Sequence, residues 1–275
     1  MMNVIYAVLV LGIMGGVFGL LLAVASKVFA VEKDERLEPV TEALPGANCG
    51  GCGYTGCGAY AEAIVAGTAP LGLCAAGGKE AVDKIAEIMG MESVEMERKV
   101  AVVMCRGHHA TKKGVYAGIQ DCAAASRILG NGPNLCAYGC LGFGNCVNVC
   151  PEGAISIVDG VAKVDHDKCI GCMACANACP RGIIKEVPYD KDIVVACSSK
   201  EKGAVLRKYC DIGCIGCKLC EKTCQHDAIH VVDNLAVIDY SKCVSCGECA
   251  EKCPRKLIAD ANLKQEFDTV EAKAR

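Results

Sequence analysis

The first 26 residues, MMNVIYAVLVLGIMGGVFGLLLAVAS, carry no charged side chain and are apolar on every helical face. About twenty such residues cross the hydrocarbon core of a bilayer as a helix, so a transmembrane anchor is predicted over 1–27. The sequence AVAS at its end also resembles a signal-peptide cleavage site, but no basic segment precedes the apolar run and the run is too long. Gly12, Gly15, Gly16 and Gly19 leave one side of the helix almost bare, a surface on which another membrane helix packs closely. Lys27, Lys33 and Arg36 follow the helix and nothing basic precedes it, which predicts a single pass of the cell (inner) membrane with the long polar part in the cytoplasm.

The pattern then changes three times. Residues 28–46 are charged, broken by Pro39 and Pro45, and read as a linker. GAYAEAIVAG (58–67) and KEAVDKIAEIM (79–89) are short helical patterns, the second with Val82, Ile85 and Met89 on one face. Beyond residue 98 the apolar residues come in short strand-like runs. VAVVMC and DIVVAC each precede a longer unit, and a shift of 74 residues carries AISIVDGVAKVDHDKCIGCMACANACPRGII (154–184) onto AIHVVDNLAVIDYSKCVSCGECAEKCPRKLI (228–258). The predicted fold class is α+β: an N-terminal transmembrane helix, a small helical domain and two tandem ferredoxin-like units.

Composition explains what such small units are built around. The 275 residues include 24 cysteines, no tryptophan and four phenylalanines, a poor inventory for a large aromatic core. Disulfide scaffolds are short and exported, whereas a cytoplasmic chain keeps its thiols reduced and uses them for metals. The spacing C49-x2-C52-x4-C57-x16-C74 places three close thiols and one remote one around a compact inorganic core, read as a 4Fe-4S cluster in preference to zinc, whose usual pattern is two separated C-x2-C pairs. Gly51, Gly53 and Gly56 match G-x-G-x-x-G, but a proline-ended linker stands where a dinucleotide site needs a strand. No flavin or NAD site is expected on the chain, and no nucleic-acid partner.

In each tandem unit the fourth cysteine of one group is expected to serve the cluster of the other group. That gives Cys214, Cys217, Cys220 with Cys253, then Cys243, Cys246, Cys249 with Cys224, and, in the first unit, Cys169, Cys172, Cys175 with Cys150. The remaining set holds Cys140, Cys146 and Cys179, but Phe143 stands where the repeat has Cys217, and Cys136 is the nearest replacement. Five clusters are thereby accounted for. Cys105, Cys122, Cys197 and Cys210 remain, either as ligands of a sixth cluster across the two units or as four separate buried thiols.

An uncharged helix, the C-x2-C-x4-C-x16-C motif and tandem C-x2-C-x2-C-x3-C-P units, in this order, resemble the B subunits of Rnf complexes in their cluster-rich, anaerobic form. The resemblance covers nearly the whole chain. It implies an electron-transfer subunit of a membrane ferredoxin:NAD oxidoreductase that couples electron flow to Na+ or H+ translocation. Reduced ferredoxin and the complex's other membrane and soluble subunits are then the partners, and the chain itself only relays electrons. The alternative is a polyferredoxin input subunit of a different membrane or soluble reductase.

Arg98, Lys99, Arg106, Lys112, Lys113 and Arg127 surround Cys105 and Cys122, and Lys200, Lys202, Arg207 and Lys208 lie between Cys197 and Cys210. Both runs are candidate docking surfaces for an acidic carrier; His108 and His109 are read as surface residues of the same loop. The expected divisions are anchor 1–27, linker 28–46, helical cluster domain 47–97, first ferredoxin unit with its preceding cysteine segment 98–188, second such unit 189–262 and polar tail 263–275.

Overall fold

The computed structural model describes residues 2–28, 34–107, 118–128 and 132–259. Lys33, His108, His109, Lys112, Lys113 and the 263–275 tail lie outside the described residues. Helix α1 (Met2–Val28) opens the chain. Its described side chains are Tyr6, Leu9 and residues 11–25, and Leu11 and Leu22 are each 70% exposed. Among the described residues no helix is long and apolar enough to cross a membrane.

The segment expected as a linker is in part a structured element. Helix α2 (Leu37–Ala43) lies within it, with Val40 at 0% exposure and Leu44 buried behind it. Pro39 falls in the first turn, where a helix tolerates the missing N–H, and Pro45 follows the end. The apolar residues of α2 pack on α3 (Cys57–Val65) and α4 (Gly78–Met89), forming a core around Val40, Tyr60, Ile64, Val82 and Ile85. Tyr60 is the pin of this domain: its hydroxyl donates to Pro70 O at 2.9 Å and accepts from Leu73 N at 3.1 Å, fixing the loop that delivers Cys74.

Strand β1 (Lys99–Val103), helix α5 (Cys122–Arg127) and helix α6 (Asn145–Asn148) lead into the first hairpin, β2 (Ile155–Val158) and β3 (Val161–Val164). Helix α7 (Ala174–Ala178) and β4 (Ile184–Pro188) complete that unit. The second unit runs through β5 (Val194–Val195), α8 (Gly203–Leu206), α9 (Leu219–Thr223), hairpin β6 (Ile229–Val232) and β7 (Leu235–Ile238), α10 (Glu248–Lys252) and β8 (Ile258–Ala259). Both hairpins are antiparallel, Val158 facing Val161 and Val232 facing Leu235. Their two-residue turns, Asp159-Gly160 and Asp233-Asn234, take positive φ throughout, the I′ geometry whose twist matches the strands.

The strand patterns ahead of each unit close back on its end. β1 pairs antiparallel with β4, Val103 opposite Ile184, and β5 with β8, Val195 opposite Ile258. The next bonds repeat as well, Met104 N to Ile183 O at 2.7 Å and Ala196 N to Leu257 O at 3.1 Å. The short helices α6, α7, α9 and α10 each begin after a residue in the left-handed region, Gly144, Met173, Lys218 and Gly247. The resulting cores are thin layers of Val, Ile, Leu and Ala interleaved with cysteine sulfur.

Candidate iron-sulfur sites

All 24 cysteines are free thiols. Among the described residues, no three His, Cys, Asp or Glu side chains stand close enough to hold a single metal ion. Many of the thiols gather instead around shared pockets, four or five to each, and a cubane cluster spreads its ligands wider than one tetrahedral ion does.

In the N-terminal domain Cys49, Cys52, Cys57 and Cys74 line one pocket. Asn48, itself at positive φ, accepts from Cys57 N at 2.8 Å and so folds the C-x2-C-x4-C loop onto the start of α3. Cys172 of the first ferredoxin unit lines the same pocket. The contact there depends on a glycine, because a Cβ on Gly51 would stand 2.5 Å from Cys172 O. The small domain and the first unit thus meet directly, sulfur set beside sulfur set.

Cys169, Cys172, Cys175 and Cys150 form the next set. Burial raises the Cys172 thiol, and the neighbours that raise it further are Cys49, Cys169 and Cys150. Cys169 Sγ accepts from Ala101 N at 3.4 Å, and Cys150 Sγ from Ala154 N at 3.3 Å.

The third set departs from expectation. Cys140, Cys146 and Cys179 share their pocket with Cys122, not with Cys136. Burial pushes Cys146 up to about 11, and Cys140, Cys122 and Cys179 are the neighbours that add to it. Asp121 and Asn145 explain the arrangement. Asp121 caps α5 by accepting from Ala124 N at 2.6 Å, and its other oxygen accepts from Asn145 Nδ2 at 2.8 Å. Asn145 Oδ1 in turn accepts from Cys122 N at 2.8 Å, which holds the start of α5 against α6. Phe143 packs beside Cys122, Ala125 and Leu141 instead of entering the pocket. Sequence reasoning missed Asp121 and Asn145. The signal that could have found them was an N-capping Asp immediately before CAAASR.

Cys136 belongs elsewhere. With Cys105, Cys197 and Cys210 it lines a pocket between the two units, which Cys140 of the third set also borders. Cys105 Sγ accepts from Cys140 N at 3.4 Å, and Cys197 Sγ from Cys214 N at 3.4 Å. The walls are tied across the seam by Ser198 Oγ, which donates to Met104 O at 2.9 Å.

In the second unit the thiols gather in two groups. Burial pushes Cys220 up to about 11, with Cys214, Cys217 and Cys253 adding to it. Burial does the same to Cys249, to about 11, with Cys243, Cys246 and Cys224 as its thiol neighbours. Cys224 Sγ accepts from Ala228 N at 3.4 Å, the counterpart of the Cys150–Ala154 contact.

These sites fit iron–sulfur clusters on their own chemistry. Cysteine sulfur supplies every donor named, backbone N–H groups already point at sulfur, and glycines clear the approaches. A Cβ on Gly171 would stand 2.5 Å from Lys99 O, and one on Gly142 would collide with Gly160 O. Burial holds Cys105 and Cys175 protonated at ordinary pH, each pushed up to about 12. Metal binding must displace those protons, so it depends on pH.

Comparison with known families finds iron–sulfur domains in this chain. A family model described as a putative Fe-S cluster matches residues 44–76, a 4Fe-4S binding domain matches 162–185 and a 4Fe-4S dicluster domain matches 213–257. The chain is 46% identical over 253 residues to the B subunit of the Na(+)-translocating ferredoxin:NAD(+) oxidoreductase complex of Acetobacterium woodii, covering 91% of this chain and 76% of that one. It is 42% identical over 257 residues to the B subunit of the ion-translocating oxidoreductase complex of Methanosarcina acetivorans, covering 92% and 97%. It is also 42% identical over 276 residues to the B subunit of the proton-translocating ferredoxin:NAD(+) oxidoreductase complex of Clostridium ljungdahlii, covering 97% of each.

Proposed function

The chain belongs to the B subunits of ion-translocating oxidoreductase complexes, and from that premise we propose which of its residues carry electrons and where it works. It is an electron-relay subunit that accepts electrons from reduced ferredoxin and hands them to the membrane subunits of a ferredoxin:NAD+ oxidoreductase. A bound 4Fe-4S cluster supplies one-electron redox chemistry. The protein supplies thiolates, a dry lining of small aliphatic residues and N–H donors that favour the more negative, reduced state.

Five cluster sites carry this reading: Cys49, Cys52, Cys57, Cys74; Cys150, Cys169, Cys172, Cys175; Cys122, Cys140, Cys146, Cys179; Cys214, Cys217, Cys220, Cys253; and Cys224, Cys243, Cys246, Cys249. The single observation that supports it most is the convergence of buried and half-buried thiols from separate motifs, with Cys140, Cys146, Cys179 and Cys122 in one pocket. Helix α1 serves as a single-pass anchor with the cluster domains on the cytoplasmic side. The uncharged 26-residue run of the sequence supports it.

Ferredoxin docks on the basic face of the second unit. Lys200, Lys202, Arg207 and Lys208 are exposed along α8 and its flanks, beside the pocket of Cys210. Charge reversal of Lys202, Arg207 and Lys208 is expected to slow reduction by ferredoxin about tenfold or more at low salt and to flatten its salt dependence. Stopped-flow bleaching of the visible absorbance measures this. An unchanged rate removes the docking surface and leaves the relay reading intact.

A further inference from the structure

The structure assigns Cys105, Cys136, Cys197 and Cys210 as the ligands of a sixth 4Fe-4S cluster, held between the two ferredoxin units. The assignment rests on the iron–sulfur reading of the chain and adds a site that none of the matched cluster domains covers. The four thiols come from segments at 105, 136, 197 and 210, outside the matched stretches 44–76, 162–185 and 213–257. All four nonetheless line one pocket.

The site has the twofold logic of the repeat. Cys136 and Cys210 are each followed three residues later by a glycine that stands over its sulfur. A Cβ on Gly139 would lie 3.6 Å from Cys136 Sγ, and one on Gly213 3.3 Å from Cys210 Sγ. Arg181 donates to Ala137 O beside the first thiol, and Arg255 donates to Cys210 O at the second. Cys105 and Cys197 sit two residues beyond the last strand positions, Val103 and Val195, and each N–H donates to that residue's carbonyl at 2.8 Å. Their sulfurs accept from Cys140 N and Cys214 N, which the repeat superposes. The repeat accounts for the paired positions, but separate thiols have no reason to face one space from both units. A shared ligand gives the reason.

The remaining thiols then fall into complete sets. With Cys122 taking the place that Phe143 vacates, the 24 cysteines divide into six groups of four with none left over. The new site also fills the gap in their succession. It touches the third set through Cys140 N and the second unit's first set through Cys214 N.

The test uses the full chain purified anaerobically, with iron and acid-labile sulfide counted and the reduced protein examined by EPR. Cys136→Ala and Cys197→Ala are each expected to lose one cluster's complement of iron and the same EPR signal, and the double variant no more than either. Cys122→Ala is expected to lose a different signal. Phe143→Cys, which restores the usual ligand position, rescues Cys122→Ala and not Cys136→Ala. Unchanged iron in Cys136→Ala, two clusters lost in the double variant, rescue of Cys136→Ala by Phe143→Cys, or zinc in place of iron at this site overturns the assignment. Serine variants cover the case in which alanine prevents folding: Cys136→Ser and Cys197→Ser must shift one and the same signal, and shifts in two signals overturn the proposal. A wild-type chain without iron or labile sulfide sinks the iron–sulfur reading itself, a result distinct from all of these.

Discussion

The two ferredoxin units have equivalent hairpins, left-handed residues at the same positions before their short helices and equivalent N–H contacts to Cys150 and Cys224. They differ in one thiol set. The second unit places Cys217 on its binding loop, exposed to solvent, whereas the first has Phe143 there and brings in Cys122, buried, from α5. Moving a ligand from a loop to a separate helix encloses the site. Within one fold, a cluster's solvent access can therefore be changed without altering the hydrogen bonds of the framework.

The largest expected effect tests what the units share. Their cores are thin aliphatic layers completed by sulfur, so removal of iron with a chelator under reducing conditions should unfold both units together. Limited proteolysis and far-UV circular dichroism read this. An iron-free chain that resists protease would show that the aliphatic layers suffice alone.

The next separates the units. Asp121→Ala removes the cap of α5 and the tie to Asn145. Loss of the cap alone costs about 1 kcal/mol, and the loss should make only the Cys122 site labile. Iron release on mild oxidation is then faster for one cluster of the first unit, while the second unit is unaffected. Equal lability in both units would mean that α5 is not what holds Cys122.

A smaller effect concerns potential. Solvent favours the more highly charged reduced cluster, so the site with exposed Cys217 should titrate at a higher potential than the enclosed site of Cys122. EPR-monitored redox titration of the Cys122→Ala and Cys217→Ala variants identifies the two signals, and the reverse order breaks the comparison. Smallest of all, Gln225 occupies the position held by Pro151, Pro180 and Pro254 in the other groups. Gln225→Pro should stabilise the second unit by about 0.4–1 kcal/mol through the unfolded chain, seen as a slightly higher melting temperature.

Much of the architecture could be read from sequence because it repeats. Cysteine spacing, the alternation in the hairpins and the VAVVMC and DIVVAC runs each occur in two copies, and the β1–β4 and β5–β8 pairings confirm those strands. The fourth thiol lining the third pocket was not legible, because it comes from a helix that has no copy. Proximity in sequence favoured Cys136, whereas the fold uses Asp121 and Asn145 to carry Cys122 across. Residues 28–46 misled for a different reason. Their charges and prolines mask Leu37, Val40 and Leu44, spaced at helical intervals, and the fully buried Val40 shows where that stripe points.

The pairing of β5 with β8 has a consequence for how the protein is made. Val195 waits for Ile258, so the second unit's frame closes only when nearly all of the described chain has left the ribosome. The N-terminal domain, whose apolar core is drawn from residues 37–96 alone, can form long before. Domains fold in order of synthesis, and cofactor delivery to this chain therefore has an early station at Cys49 to Cys74 and a late one that opens only at completion. A nascent chain halted before Ile258 would leave the Val194–Val195 edge unpaired.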